Sequence, residues 1–299
     1  MTRTLLTLLG CLLVTGLMAG CGVRLAYNQI DRLVPWYVSD YVTLDRAQRR
    51  LLDERLSEHV AWHCATQLPA YTATLARARA DLDAGGDPID VATTLIDEAE
   101  AHWQALLDAI TPDLVALLAS LEPAQIDQLR EAFETSNEAL RSDLLAPTES
   151  SRVRARSDRL EKRLRRWIGP LDAPQRARVR DWATRTDTNT AAWIAQREAW
   201  QTALLDVLTQ PRSDPEHFRS QLTGLIRSPE QVRTPAQREA LQRNREATLG
   251  LLGELLDSAS PRQRQRLDQA LADLGRDFDQ LACAAPGQLG QASPAPDAT

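Results

Sequence analysis

The sequence lacks most of the motifs by which enzymes are recognised. It has a single lysine, Lys162, with no glycine-rich loop before it, which argues against a phosphate-cradling nucleotide site. It contains neither a G-x-S-x-G nucleophile elbow nor an H-E-x-x-H zinc-protease motif. Glycine is scarce, at 13 of 299 residues, and no convincing alternation of apolar and polar residues indicates a strand. These absences leave a mostly helical chain punctuated by proline.

The chain also lacks an apolar run long enough to span a bilayer, which takes about 20 residues. Its longest run, residues 5–18, follows Arg3 and precedes small residues, so residues 1–20 are typical of a signal peptide. M-A-G-C at residues 18–21 resembles the bacterial lipobox, which implies that Cys21 carries several acyl chains, palmitate among them, as a membrane anchor. The competing Cys11 has too little apolar chain before it. An ordinary secreted protein is the alternative.

The anchor predicts a periplasmic location. Gly22 occupies the position at which an Asp would signal inner-membrane retention, and this favours the outer membrane. Removal of residues 1–20 leaves 34 basic and 41 acidic side chains, a net charge of −7. That balance favours solubility and argues against general nucleic-acid binding.

Two further cysteines, Cys64 and Cys283, remain in the predicted mature chain. Two thiols in an oxidising compartment usually pair, so we expect a disulfide that joins the first long helix to the last. Two free buried thiols are the alternative.

The periodicity predicts an all-α fold, an elongated bundle of long antiparallel helices over residues 21–283 with a disordered tail at 284–299. The bundle is either one domain or two sub-bundles that divide near residues 146–172. Pro69 is expected to kink or restart the helix that begins at Asp45. Further helices are expected at 88–109, 112–120, 123–146, 149–168, 174–209, 215–227, 235–258 and 261–282. Within 174–209, a polar layer and a break at 186–190 are both open.

Five helix starts share one signature, a capping-type residue three positions before a glutamine. This pattern predicts capping boxes, in which the two side chains bind each other's backbone N–H. It also resembles the Leu-Thr-x-x-Gln motif of small periplasmic stress chaperones, which implies a chaperone-like holdase as one alternative function. The five pairs are Asp45 and Gln48, Glu122 and Gln125, Asp172 and Gln175, Thr234 and Gln237, and Ser260 and Gln263.

Charge is distributed unevenly along the chain. Residues 81–149 carry sixteen acidic and two basic side chains, whereas residues 152–180 carry eleven basic and three acidic ones. A short turn at Pro147 predicts that the acidic and basic helices pair along the bundle surface. The alternative is an exposed basic stripe for anionic lipid headgroups or an acidic partner. The acidic stripe is Asp127, Glu131, Glu134 and Glu138; the basic stripe is Arg152, Arg156, Arg159, Arg163 and Arg166.

His59 and His63 lie four residues apart in line with Leu52 and Leu56, so all four share one helix face. Histidines at this spacing can share a zinc ion. A zinc protease needs Glu directly after the first His, however, and Val60 is there instead. We therefore expect partly buried, hydrogen-bonded histidines rather than metal ligands.

Aromatic residues cluster near the predicted anchor. Trp36, Tyr37 and Tyr41 are suited either to the membrane interface or to helix packing, and packing is the default.

Several residues together resemble a family of uncharacterised Gram-negative lipoproteins. The resemblance implies a lipoprotein address and an all-helical fold, and it implies no activity. It is carried by Cys21, Tyr27, Asp31, Trp36, Asp40, Tyr41, Leu44, Asp45, Gln48, Trp62, His63, Leu68, Pro69 and Tyr71. Cys64 departs from the basic residue that often follows the Trp-His pair in that family.

The sequence therefore predicts a membrane-anchored periplasmic lipoprotein, a non-enzymatic interaction or assembly-support protein of the cell envelope. It is expected to bind an envelope protein partner and to need no cofactor. The alternatives are a metal-dependent hydrolase centred on His59 and His63, and a periplasmic holdase.

Overall fold

Every regular element in the described part of the chain is helical, so the predicted all-α, multi-helix fold is confirmed. The computed structural model describes residues 20–145, 148–186, 190–211 and 213–283. The predicted signal peptide up to residue 19 and the predicted tail at 284–299 lie outside these ranges. The helices are α1 (Gly20–Tyr27), α2 (Ile30–Ser39), α3 (Arg46–Trp62), α4 (Leu68–Asp83), α5 (Pro88–Ala119), α6 (Pro123–Leu145), α7 (Glu149–Ile168), α8 (Ala173–Arg185), α9 (Thr190–Thr209), α10 (Pro215–Arg227), α11 (Pro235–Asp257) and α12 (Pro261–Leu281).

A π-helical turn, His63–Gln67, connects α3 to α4 without a break in the helical chain. Pro69 has no N–H to donate, and in an α-helix its ring would crowd the carbonyl four residues earlier. The wider π-turn accommodates this constraint, and the Leu68 N–H bonds to the His63 carbonyl, five residues back. The predicted kink at Pro69 is therefore a local widening of one long helical segment.

The longest helix, α5, is the central element of the bundle. Its 32 residues span about 48 Å at ~1.5 Å per residue. It packs against α3, α4, α10 and α11. Arg245 of α11 pairs with Asp97, and Arg227 of α10 pairs with Asp108. These ion pairs link α5 to two of the helices that pack on it.

Four of the five predicted glutamines meet in two buried pairs at the starts of helices. Gln48 of α3 and Gln125 of α6 exchange amide hydrogen bonds of 2.9 and 2.6 Å, and we call them the first glutamine pair. Gln175 of α8 and Gln263 of α12 exchange bonds of 3.2 and 2.9 Å and form the second glutamine pair. Each pair therefore joins two helix N-termini head to head.

Every polar position of these amides is used. Each Oε1 also accepts the N–H of its own N-cap residue, as predicted by the capping box. Each Nε2 also donates to the carbonyl two residues before the partner helix's cap. Two donors and two acceptors are thus satisfied in each side chain, which offsets the cost of burying it. The fifth glutamine, Gln237, instead donates to the carbonyl of Ala192.

The buried apolar side chains form two clusters, one beside each glutamine pair. The first core cluster joins α3, the end of α5, α6, α9 and α10 through residues such as Leu121, Phe133 and Leu222. The second core cluster joins α7, α8, α11 and the start of α12 through residues such as Val179 and Leu255. Because α9 and α10 follow α8 but return to the first cluster, the clusters alternate along the chain. The predicted division into sub-bundles stays a prediction.

The structure corrects one predicted helix boundary and decides between the two alternatives at another. Helix α5 continues through Pro112, although breaks were expected at 109–112. Thr111 and Val115 beside that proline are buried, so tertiary packing holds the helix across the missing N–H. The predicted helix at 174–209 ends at Arg185, where Thr186 is extended, and α9 starts at Thr190.

The predicted pairing of the acidic and basic stripes is also wrong. Helix α6 packs against α9, where Asn137 bonds to Gln201 and Arg141 pairs with Glu198. Helix α7 packs against α8 and α12 instead. The apolar faces of α6 and α7 belong to different core clusters, and this decides their partners, since exposed ion pairs contribute only ~0–1 kcal/mol each.

No single helix within the described ranges is long and apolar enough to cross a membrane. Helices α5 and α6 meet that test only as a pair bent by 116°.

We predict that Gln175→Ala lowers the free energy of unfolding by about 2–4 kcal/mol, because it leaves the buried amide of Gln263 unsatisfied. Gln237→Ala is the matched control, since it removes a capping glutamine that has no buried amide partner, and it should cost about 1 kcal/mol. Urea unfolding of both variants measures the difference. Equal losses would show that the pairing itself contributes nothing.

Candidate functional site

A cluster of hydrogen-bonded polar side chains lies where α1 packs on the rest of the bundle. The imidazole of His63, at the start of the π-turn, lies between two tyrosine hydroxyls. Tyr27 of α1 is 3.1 Å from Nδ1, and Tyr71 of α4 is 3.2 Å from Nε2. The Tyr27 hydroxyl also donates to the carbonyl of Val60. Tyr27 therefore attaches α1, which contains Cys21, directly to the end of α3.

The hydrogen bonds assign the protons of this arrangement. Because Tyr27 donates to the Val60 carbonyl, it accepts from Nδ1–H of His63. Burial lowers the pKa of His63 and so favours the neutral ring, in which Nε2 accepts from the hydroxyl of Tyr71. Burial, with a smaller contribution from the neighbouring phenol of Tyr71, raises the pKa of Tyr27 to about 12. These groups hold one another and do not form an acid–base pair poised near neutral pH.

The aromatic contacts extend from His63 across three helices. The ring of Tyr71 packs edge-on against His102 of α5, with centroids 4.7 Å apart, and against Phe278 of α12, 5.6 Å away. Edge-to-face pairs of this kind stabilise packing by about 0.5–1.5 kcal/mol beyond their buried area. The cluster therefore fastens α4, α5 and α12 at the place where α1 docks.

A disulfide closes the same region. Cys64 in the π-turn is bonded to Cys283, with the two Cα atoms 5.3 Å apart. The Cys283 N–H also donates to the Cys64 carbonyl. The bond fixes the end of α12 beside the start of α4, and these two helices share the most extensive helix–helix interface of the described chain. Both ends of the described chain are thus fastened within a few residues of His63.

His59 and His63 do not act together. His59 Nε2 lies 2.9 Å from a carboxylate oxygen of Asp113, which Arg55 also contacts, whereas both ring nitrogens of His63 face tyrosines. Among the residues that the structure describes, no group of three or more His, Cys, Asp and Glu side chains could hold a metal ion. The geometry therefore gives no support to the hydrolase alternative.

An open depression of about 390 Å³ lies at the start of α6. Its lining combines apolar side chains such as Ile126 and Leu208 with the carboxylates of Glu122 and Asp127. The one hydroxyl in its lining, that of Thr209, donates to backbone carbonyls of its own helix rather than to a base.

The three aromatic residues predicted near the membrane have different surroundings. Trp36 of α2 is 45% exposed. Tyr37 and Tyr41 bond to each other through their hydroxyls at 3.2 Å, and Tyr41 packs edge-on against Phe133 of the first core cluster. Only Trp36 of the three is therefore available at the surface as a large apolar group.

The predicted basic stripe of α7 contains both buried and exposed arginines. Arg156 is buried, and its guanidinium donates to the Thr186 carbonyl at 2.8 Å. Arg152 pairs with Glu149. Arg159, Arg163 and Arg166 are exposed.

Some site residues were missed from the sequence. Lys162 is exposed on the same flank as Arg159 and Arg166, and its spacing of three and four residues from them was a usable signal. The contact of Tyr27 with His63 spans 36 residues, and no local pattern indicates it.

We predict that acid destabilises the protein through His63. Its folded pKa lies below the unfolded value of about 6.5, so the unfolded chain binds the proton first, and stability is lost as the pH falls below about 6.5. The thermal midpoint should be a few degrees lower at pH 5.5 than at pH 7.5. His63→Gln should reduce this difference, and His217→Gln, at an exposed site on α10, should not. A midpoint independent of pH would contradict the prediction.

We also predict that the disulfide migrates as an intramolecular bond, with faster mobility on a nonreducing gel than on a reducing gel. Cys64→Ser together with Cys283→Ser should lower the free energy of unfolding by about 3–5 kcal/mol, since the bond closes a loop across a separation of 219 residues. Urea unfolding measures the loss, and reduction of the parent chain should reproduce it. Identical mobility with and without reductant would contradict the bond.

Comparison with known proteins identifies a family and nothing more specific. A model described as a family of unknown function (DUF6279) matches residues 40–238, which include α3 to α10 and both His63 and Tyr71. No curated protein and no solved structure matches the chain. Because the match covers well over half of the 299 residues, the chain belongs to this family of unknown function, DUF6279.

Proposed function

We propose that the protein is a lipid-anchored, non-enzymatic interaction or assembly-support protein of the cell envelope, attached through Cys21 and facing the periplasm, with the outer membrane favoured over the inner. The observation that carries this proposal is the docking of α1. Tyr27 of α1 contacts His63 and Val60, and α1 packs on α12. Only five residues separate Cys21 from Tyr27, so an acyl group on Cys21 would hold the helical body directly at the membrane surface.

Two further features support the same location. The Cys64–Cys283 bond suits an oxidising compartment, because disulfides are rare in reducing ones. Polar side chains at the candidate site satisfy one another, and this agrees with a structural rather than a catalytic role. The glutamine motif shared with periplasmic chaperones is accounted for by the two glutamine pairs, so it gives no separate reason to propose a holdase.

The lipid anchor is tested by metabolic labelling of cells with radioactive palmitate. We expect label on the parent chain and none on Cys21→Ala. Cys11→Ala is the matched control, because L-L-G-C at residues 8–11 is the competing lipobox, and its label should be unchanged. Label that persists in Cys21→Ala and disappears in Cys11→Ala would overturn the assignment of Cys21.

The interaction role is tested by in-cell crosslinking from the anchored protein, with identification of the captured envelope protein. A recurrent partner that is captured less by a surface variant supports the proposal. Purified protein that holds one zinc ion per chain, lost in His63→Ala, would contradict it and favour a hydrolase.

A further inference from the structure

We propose that the exposed basic flank of α7, formed by Arg159, Lys162, Arg163 and Arg166, binds anionic phospholipid headgroups of the membrane in which the protein is anchored. This inference rests on the proposed function and specifies the surface with which the body meets the lipid. The four residues are called the basic flank below.

The basic flank is a single face of one helix. Spacings of three, one and three residues place the four side chains together, and all four are exposed. The opposite face of α7 buries Leu164 and Ile168 in the second core cluster. Glu161 lies on the far side of the helix and pairs with Arg165, whereas exposed Asp158, four residues before Lys162, borders the flank. The flank therefore carries four positive charges beside one negative charge, a local excess of three positive charges.

Because α6 packs elsewhere, α7 lacks the acidic partner helix that the sequence predicted. The acidic helix faces α9 rather than α7, so its carboxylates do not neutralise the basic flank. Within the described ranges, none of the four side chains forms an ion pair. Arg266 of α12 adds to this surface, since its side chain lies beside Gly169 at the end of α7.

The anchor supplies the reason to choose lipid as the occupant. Helices α1 and α7 both pack on α12. One helix, α12, therefore links α7 to the helix that contains Cys21. A body held by Cys21 thus keeps the basic flank close to the bilayer. Guanidinium groups bind phosphate oxygens with two parallel hydrogen bonds, which suits phospholipid headgroups.

Exposed apolar side chains on the anchored helices agree with this orientation. Leu25 of α1 is 67% exposed and Trp36 of α2 is 45% exposed. Large apolar and indole side chains near basic residues are typical of segments that lie at the headgroup level. The net charge of −7 on the mature chain gives no general attraction to anionic lipid, so any such binding has to come from a local surface.

The first test uses the mature chain from residue 21 with Cys21→Ala, which cannot be acylated, in sedimentation with phosphatidylcholine vesicles with and without phosphatidylglycerol. We expect binding only to the anionic vesicles, weakened by salt. Each basic side chain at an anionic surface strengthens binding about fivefold. The variant R159Q/K162Q/R163Q/R166Q should therefore bind at least ~25-fold more weakly.

The control variant R46Q/R49Q/R50Q/R219Q removes the same four charges from exposed positions on α3 and α10. It should bind like the parent, and the thermal midpoints of both variants should match the parent because all positions are exposed. Equal weakening by the two variants, binding to neutral vesicles, or no binding by the parent would overturn the proposal. So would capture of an acidic protein by the basic flank without vesicle binding.

The second test uses the acylated mature protein and exploits the fact that Lys162 is the only lysine. In vesicles free of aminophospholipids, an amine-reactive label should modify Lys162 at least fivefold more slowly on anionic vesicles than on neutral ones. Equal rates would overturn the proposal. Palmitate labelling reports the anchor separately, so loss of the anchor and loss of the lipid contact are distinguishable.

Discussion

Two pairs of buried glutamine amides fix the helix starts on which the rest of the bundle depends. An amide is the one common side-chain group that donates twice and accepts twice, and each of these four groups is fully used. Glutamate would remove both donors and bury a charge, and asparagine would be one carbon too short. The residue before each cap, Leu44, Leu121, Leu171 or Ala259, is buried beside its pair. At each of these helix starts, the six residues that end at the glutamine therefore supply both the hydrogen bonds and the apolar packing.

The region around His63 uses a different principle to hold the N-terminal helix. Tyr27 is bonded to the end of α3, and α1 packs on α12. The imidazole, the tyrosines and Phe278 pack together, and burial lowers the pKa of His63, so protonation of the ring should weaken the attachment. A polar contact at this position thus couples α1 to the main packing of the protein.

The sequence was sufficient for local features and insufficient for long-range partners. Capping at Asp45, Thr234 and Ser260 follows from chemistry within four residues, and the all-α fold follows from periodicity. Nothing local shows that Gln48 meets Gln125 rather than Gln175, because the choice depends on which apolar faces share a core. For the same reason, the pattern of charges did not predict the packing partners of α6 and α7. Burial of whole side chains at ~25 cal/mol per Å² outweighs exposed ion pairs.

The interface of α4 with α12 has a consequence for how the protein is made. A chain is synthesised from its N-terminus, so α4 is present for almost two hundred residues of synthesis before α12 can cover it. During that interval Tyr71 has no Phe278 beside it, and Cys64 has no partner. The native bond is available only once Cys283 arrives near the end of the chain. Contacts this distant in sequence form late and slowly. The fold is therefore completed only when the last helix has been made, and until then the apolar face of α4 and the Cys64 thiol stay uncovered.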